Sequence, residues 1–313
     1  MVLRSRFALV LVVVGLLASA CGTATTPTPT GAPVPTAAPT ATPTAAPSIV
    51  ATVPDDQLIF NGKLVICSDM PYPPLEYFDE DGNPLGSDIE MGAEIGRRLG
   101  LTMEVVNSVF DTIIPALTGG RCDIIISFQN INDERLGQVD MILYYEAGQA
   151  FLVQAGNPAN IQAIEDLCGK KVAVESGTTM LDYLGGTGDF ATTGLPSICQ
   201  AASLAAAEPQ PYGKDSDAVA ALQAGTADAY LADFPVAAGY ANDRPDTFAL
   251  APLPQIAPAP VGISVAKTNI GLRDAVKTAL ISMIDDGTYL QILTKYHIES
   301  GAVTVEQVNA PVQ

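Results

Sequence analysis

Asp123-Ile-Ile-Ile-Ser127 is an unbroken apolar run of strand length, and Phe128-Gln-Asn-Ile-Asn-Asp-Glu-Arg135 follows it as a polar stretch. A strand that is apolar at consecutive positions must be covered on both faces, which is the condition of a parallel sheet between helices. The same pattern recurs on either side. Leu64-Val-Ile-Cys67 is a second buried run. Asp88 reads as the cap of a helix with the apolar stripe Met91, Ile95 and Leu99, Arg97 and Arg98 in its last turn, and Gly100 as its stop. Val105 and Val106 follow as strand, and Asp111 opens a helix carrying Ile113, Ile114 and Leu117.

A second set begins after Gln149. Lys171-Val-Ala-Val174 is a strand, and Ser176-Gly-Thr-Thr179 leads into a helix. Ser216 starts another helix, and Ala227-Asp-Ala-Tyr-Leu231 is the next strand. Val261-Gly-Ile-Ser-Val265 precedes two helices, 271–285 and 288–297. Strands alternating with helices predict an α/β chain, and the restart near residue 150 predicts two lobes, each a mostly parallel sheet flanked by helices. Asp79-Glu-Asp-Gly-Asn83 superficially resembles a calcium loop, but Pro84 stands where that loop needs glycine. A turn on Asp81-Gly82 between two strands is the better reading.

The chain has 313 residues, 15 basic and 34 acidic, for a formal net charge of −19. Two of the basic residues, Arg4 and Arg6, fall in the first 20; removing those gives 13 − 34 = −21. Such a surface repels phosphate backbones, which excludes nucleic-acid binding while leaving room for one local basic spot. The single histidine, His297, rules out multi-histidine metal sites and leaves little scope for a histidine-based triad.

The first 54 residues read as an address rather than as fold. Arg4 and Arg6, an apolar run from Phe7 to Leu17, and the small residues Ala18-Ser19-Ala20 form a secretory signal over 1–20. As a helix, residues 7–20 span about 21 Å, short of the ~30 Å hydrocarbon core. Leu17-Ala18-Ser19-Ala20-Cys21 resembles a bacterial lipobox, with Ala18 where leucine is commonest, and implies a diacylglyceryl group on Cys21. Residues 22–54 carry eight prolines and no charge. Prolines favour polyproline II there, so 21–54 reads as a lipidated cysteine plus a tether with an extended reach on the order of 100 Å.

Outside the cell the remaining cysteines, Cys67, Cys122, Cys168 and Cys199, invite pairing. Cys168 and Cys199 flank one βα unit, and a bridge there contributes about 3.7 kcal/mol by loop entropy. Cys67 lies near the carboxyl end of one strand and Cys122 just before the start of a parallel one. That places them over ~10 Å apart along the sheet, so both are expected to stay buried thiols.

In open α/β sheets ligands bind beyond the carboxyl ends of the strands. That rule selects Ser68 to Tyr72, Phe128 to Arg135, Glu175 to Thr179, and Ala232-Asp233, with Phe110 able to reach the same crevice. Arg135 offers a planar fork for a carboxylate. The amides opening the helix after Ser176 add donors and positive potential. Asp233 supplies an anion for an ammonium, Tyr72 and Phe110 flat apolar walls, and Asp69 and Glu175 further negative charge. Alone, Arg135 beside Asp133 and Glu134 reads as a surface ion pair, and Asp233 as a helix cap. Their joint placement at strand ends describes an α-amino acid pocket.

With these residues in view, the chain from about Leu64 to Ile298 resembles the extracellular solute-binding proteins of the polar amino-acid ABC-transporter family (family 3), in lipoprotein form. The resemblance rests on Gly86-Ser-Asp-Ile-Glu-Met-Gly-Ala-Glu-Ile-Gly-Arg-Arg-Leu99, on Ser68-Asp69…Tyr72-Pro-Pro, on Phe110-Asp…Ile114-Pro-Ala-Leu117 and on Ile131…Asp133-Glu-Arg135. Val172-Ala-Val…Ser176-Gly-Thr-Thr179, Ala227-Asp-Ala…Asp233 and Asp286-Gly-Thr-Tyr289 add to it. It implies a two-lobed periplasmic-binding-protein-like fold (type II) joined by two hinge strands near 145–150 and 256–260. Lobe 1 is then 55–147 with 259–313, and lobe 2 is 148–258. It also implies roles: Arg135 holds the ligand carboxylate with Asn130 and Thr179, and Asp233 the α-ammonium. Tyr72 and Phe110 sandwich the side chain, and Asp69 and Glu175 lie near its tip, favouring a polar or cationic amino acid. Ser127, Phe128 and Thr178 complete the expected lining. Phe128 and Gln129 depart from the family's small-residue-then-Met pattern and imply a narrower pocket.

The expected protein is therefore a monomer, anchored by lipid to the outer face of the membrane. It delivers an amino acid to a permease and needs no cofactor, metal or catalytic group. Two rivals are a dehydratase-type enzyme on the same scaffold, with Glu175 as its acid, and a tethered amino-acid sensor without transport.

Overall fold

The computed structural model describes residues 48–311; the signal, Cys21 and most of the tether lie outside them. Eleven strands run in chain order. The first five are β1 (Lys63–Ser68), β2 (Tyr77–Phe78), β3 (Pro84–Leu85), β4 (Thr102–Asn107) and β5 (Ile124–Asn130). They are followed by β6 (Val139–Gln154), β7 (Lys171–Glu175), β8 (Glu208–Tyr212), β9 (Ala229–Asp233), β10 (Phe248–Leu250) and β11 (Ile256–Ala266). The helices that position the site are α1 (Ser87–Arg98), α2 (Ile113–Thr118), α3 (Asp133–Gln138) and α4 (Thr179–Gly185). Further on come α5 (Leu195–Ala201), α6 (Asp215–Gln223), α7 (Phe234–Asp243), α8 (Ile270–Asp285) and α9 (Thr288–Lys295).

Pairing links nine strands in the order β4-β1-β5-β11-β6-β9-β7-β8, with β10 added to β6. Each end of that path is parallel: β1 lies between β4 and β5, and β7 between β8 and β9. The two parallel groups are joined by antiparallel β6 and β11. The long strand β6 serves both, pairing with β11 along Val139 to Gln149 and with β9 from Gln149 to Leu152. β11 carries register shifts near Ile256 and Val261, and Ala257 has φ 43 between its paired segments. Such irregularities increase local twist and turn one parallel group relative to the other.

Local chemistry accounts for the elements. Every residue of β5 is buried, as its apolar run requires. Met91 and Ile95 of α1, with Leu99 just beyond its end, pack on Leu64, Ile66 and Ile126. On the opposite face, Val65, Cys67 and Ile125 meet Ile113, Ile114 and Leu117 of α2. Tyr77–Phe78 and Pro84–Leu85 pair across the Asp79–Asn83 turn, where the Asp79 carboxylate accepts from the backbone N–H groups of Asp81 and Asn83.

Several expectations are corrected. Cys67 and Cys122 form a disulfide with Cα atoms 5.6 Å apart, as do Cys168 and Cys199. The strand-axis argument against the first failed because Cys122 does not continue β5 backwards. The chain bends at Asp123, and Cys122 sits over the face from which Val65 and Cys67 project. Asp88 is not a helix cap: Gly86 precedes α1, and the buried Asp88 carboxylate accepts from Tyr144 Oη at 2.8 Å and Phe128 N at 3.0 Å. Asp111 opens only a 3-10 turn, Phe110–Thr112, before α2. Residues 48–54, grouped by composition with the tether, include Val50, whose N–H donates to Arg98 O at 2.9 Å. Val50, Ala51 and Val53 pack against the core.

Candidate functional site

Four strand ends converge on one crevice. The segment after β1 brings Asp69 and Tyr72, and β5 brings Ser127, Phe128 and Asn130. From β7 comes Glu175, with Thr178 and Thr179 opening α4, and β9 ends in Asp233. With Phe110 and Arg135 these residues line a narrow, nearly filled cavity of about 10 Å³, which Glu76 and Met180 also line. All eleven residues singled out from the sequence thus face a common space.

Arg135 is aimed by its own segment. The Asn132 side chain caps α3 by accepting the Arg135 N–H at 2.9 Å. The guanidinium donates from Nη1 to Asn130 O at 2.7 Å and from Nη2 to Gly177 O at 3.1 Å, and it lies over the Phe110 ring at 5.3 Å. Burial lowers its pKa to about 10, opposed mainly by the field of Asp233, so it stays cationic at neutral pH. Gly177 allows this approach: its φ is +76, and a Cβ there would sit 2.7 Å from Asp111 Cα. A side chain would push the helix opening away from the guanidinium.

Asp233 and Tyr72 are interlocked. Tyr72 Oη donates to Asp233 Oδ2 at 2.8 Å and accepts the Asp233 N–H at 3.1 Å. The Tyr72 hydroxyl is thus spent on Asp233, leaving its ring as the apolar wall. Burial pushes the Asp233 carboxyl up to about 7, while the Tyr72 hydroxyl and then Arg135 pull it down. Asp233 Oδ1 and Asn130 Nδ2 are buried with no hydrogen-bond partner. Each such atom costs about 1–3 kcal/mol when left unsatisfied, so a solute presenting a donor to the first and an acceptor to the second would recover that energy.

The far end is acidic. Asp69 accepts the Phe110 N–H at 2.6 Å and Glu175 accepts the Asp215 N–H at 3.0 Å. Burial raises Asp69 to about 6 and Glu175 to about 9, and for Glu175 the charges of Asp215 and then Asp69 add to it. Behind Glu175, the buried Asp215 accepts from Tyr240 Oη at 2.7 Å and from Tyr230 Oη. Across the crevice, Thr179 Oγ1 donates to Asn130 Oδ1 at 2.6 Å and accepts from Gln149 Nε2 of β6 at 3.1 Å. Together with the Tyr72–Asp233 and Arg135–Gly177 bonds, this joins the two parallel groups across the crevice.

Phe128 has φ 44 inside β5 and packs its ring 5.0 Å from Tyr145 and 6.3 Å from Tyr144. Sequence reasoning missed Glu76 and Met180. Glu76 follows Pro73-Pro74 in a loop with no periodicity; its backbone bonds that of Tyr72, and its carboxyl accepts from Ser127 Oγ at the cavity. Met180 reads as core of α4, and it is core as well as lining. Among the described residues no group of histidine, cysteine and acidic side chains is placed to hold a metal ion, and no helix is long and apolar enough to cross a membrane.

Residues 64–299 match the profile of the bacterial extracellular solute-binding proteins, family 3. The arginine-binding protein ArgT of Corynebacterium glutamicum is 28% identical over 261 residues, covering 83% of this chain and 82% of that protein. The L-cystine-binding protein TcyJ of Escherichia coli strain K12 is 27% identical over 235 residues, covering 75% of this chain and 82% of that one. Among solved structures, an ancestral arginine-binding protein bound to arginine superposes with a TM-score of 0.64 at 33% identity, over 75% of this chain and 98% of that one.

Proposed function

The chain belongs to the bacterial extracellular solute-binding proteins of family 3, and we propose that it is the extracytoplasmic substrate-binding component of an ABC importer, taking an α-amino acid with a cationic side chain. The observation that carries this reading is the charge arrangement of the cavity. One buried guanidinium, Arg135, and one buried carboxyl with a free oxygen, Asp233, share it with Asp69, Glu175 and Glu76 at the other end. Arg135, helped by Asn130 and Thr179, takes the ligand carboxylate, and Asp233 takes the α-ammonium. Phe110 and the Tyr72 ring flank the side chain, and Asp69 and Glu175 meet its charged tip. Ser127, Phe128 and Thr178 set the width.

In this reading lobe 1 comprises 55–147 and 259–313, and lobe 2 comprises 148–258. The ligand bridges them, stabilises the closed state and is handed to a permease. The chain works as a monomer, and the relatives' names as binding proteins support binding rather than catalysis. A lipid on Cys21 and the tether after it hold the protein near the permease and raise its effective concentration there. Labelled palmitate should enter the protein and be lost on Cys21→Ala; entry in that variant would refute the anchor.

The ligand class is tested by mass spectrometry of what heat-denatured protein releases, together with thermal shifts against single amino acids. Arginine, lysine, ornithine or histidine should raise Tm most. A shift with glutamate or aspartate, and none with the cationic set or glutamine, would overturn the reading.

A further inference from the structure

α7 carries a glycine, Gly239, in its interior. An interior glycine weakens a helix relative to alanine, because it loses more backbone freedom on folding. What faces it accounts for its presence. A Cβ built on Gly239 would lie 3.4 Å from Pro74 Cδ and 3.8 Å from Pro73 O, so the helix backbone rests directly against the segment that follows Tyr72. Gly239 stands outside the ligand cavity and borders a separate groove with Pro74, Phe234 and Tyr296.

Both sides of this contact are anchored. Pro74 O accepts the Ser87 N–H at 3.2 Å and Leu75 O accepts the Asp88 N–H at 2.9 Å, which ties the segment to the start of α1. Leu75 itself is buried in the core. On the helix side Val236 and Ala237 are buried. Tyr240 Oη donates to Asp215 Oδ2 at 2.7 Å, and its ring packs 6.2 Å from Phe248. The same two elements also meet at the start of α7, where Tyr72 Oη donates to Asp233 Oδ2 at 2.8 Å. Gly239 lies six residues beyond Asp233, about 9 Å along the helix axis. One contact is made inside the cavity and the other outside it, and together they fix how near α7 comes to the Tyr72–Glu76 segment.

Resting on the reading of two lobes that close on an amino acid, with α7 in lobe 2 and Pro74 in lobe 1, we infer that Gly239 is a positioning residue for ligand capture. The lack of a side chain there lets α7 seat on Pro74, and that seating brings Asp233 to the ligand's ammonium. A bulkier residue props the lobes apart. It penalises only the arrangement that holds ligand, so the fraction of competent protein falls and the apparent Kd rises in proportion. The open protein, in which α7 and Pro74 have parted, is unaffected.

The test uses the intact protein with radiolabelled L-arginine as the probe. Gly239→Ala places a methyl group at ordinary contact distance and should bind as wild type does. Gly239→Val is the wedge: branching at Cβ holds it in one helical rotamer, so it cannot turn into the neighbouring groove as an unbranched side chain could. Overpacking of this kind should raise the arginine Kd roughly five- to a hundredfold. The loss should lie in faster dissociation, followed by chase with unlabelled arginine, at an unchanged association rate, since the open lobes meet the ligand first. Ligand-free Tm should be no lower in either variant than in wild type. Wild-type affinity in Gly239→Val, an equal loss in Gly239→Ala, or a loss confined to association would overturn the proposal and leave the binding site standing. So would a lowered ligand-free Tm in Gly239→Val, because the contact would then be permanent. Wild type that does not bind L-arginine would overturn the underlying reading and the proposal with it.

Discussion

Removing the Arg135 guanidinium tests the pocket most directly. Of its five N–H groups, one from each terminal nitrogen is committed to the Asn130 and Gly177 carbonyls, at 2.7 and 3.1 Å. The remaining donors can reach both oxygens of a carboxylate. Each hydrogen bond to a charged group is worth about 1.5–3 kcal/mol in a buried site, so losing two strands a desolvated carboxylate at a cost of about 3–6 kcal/mol. At 1.4 kcal/mol per decade, Arg135→Ala should raise Kd by roughly two to four orders of magnitude. Arg135→Lys keeps the charge but not the planar fork, and should fall between the two, about ten- to a hundredfold weaker than wild type. The assay is calorimetric titration with L-arginine, with Tm of the empty protein as the check on folding. Arg135→Ala binding within about fivefold of wild type, with Tm retained, would refute the assignment of this side chain to the ligand carboxylate.

Thiol titration of the denatured, unreduced protein should find none of the four cysteines of the globular part free; two free thiols would contradict the Cys67–Cys122 bridge. That bridge closes a loop of 55 residues, worth about 4.2 kcal/mol by loop entropy. Cys67→Ala with Cys122→Ala should therefore lower stability in denaturant titration by about that much, and slightly more than loss of Cys168–Cys199, whose loop is 31 residues. Glu175 gives a pH signature. Burial raises its pKa from the ordinary 4.5 to about 9 in the fold, so the stability it lends is present below about 4.5 and is lost as pH rises towards 9. Tm of the ligand-free protein should fall across that window and Glu175→Gln should flatten the fall; parallel curves would refute it.

Much of the site was legible because the rule that finds it is local. An apolar run ends, polar residues follow, and the carboxyl ends of β1, β5, β7 and β9 with the segments just after them carry Asp69, Arg135, Glu175 and Asp233 whatever the rest of the chain does. Helix ends were read less well. Asp88 has the chemistry of a cap, but the buried donors of Tyr144 and Phe128 claim its carboxylate, and those donors lie 40 and 56 residues away. The Cys67–Cys122 pairing was misjudged for a related reason. Strand arithmetic assumes straight chain, and the bend at Asp123 is where it stops applying.

From sequence alone came the alternation of strands and helices, the placement of the polar loops, the family, and the charge of the groups the pocket contains, since these depend on periodicity and residue type. The tertiary structure decided which of those charges touch. Tyr72 reaches Asp233 across 161 residues, Glu76 enters the cavity on a loop without pattern, and Arg135 meets Gly177 only because a glycine lets two backbones approach. Contacts between distant segments are set by how the sheet twists and where the chain bends, and no short window of sequence records either.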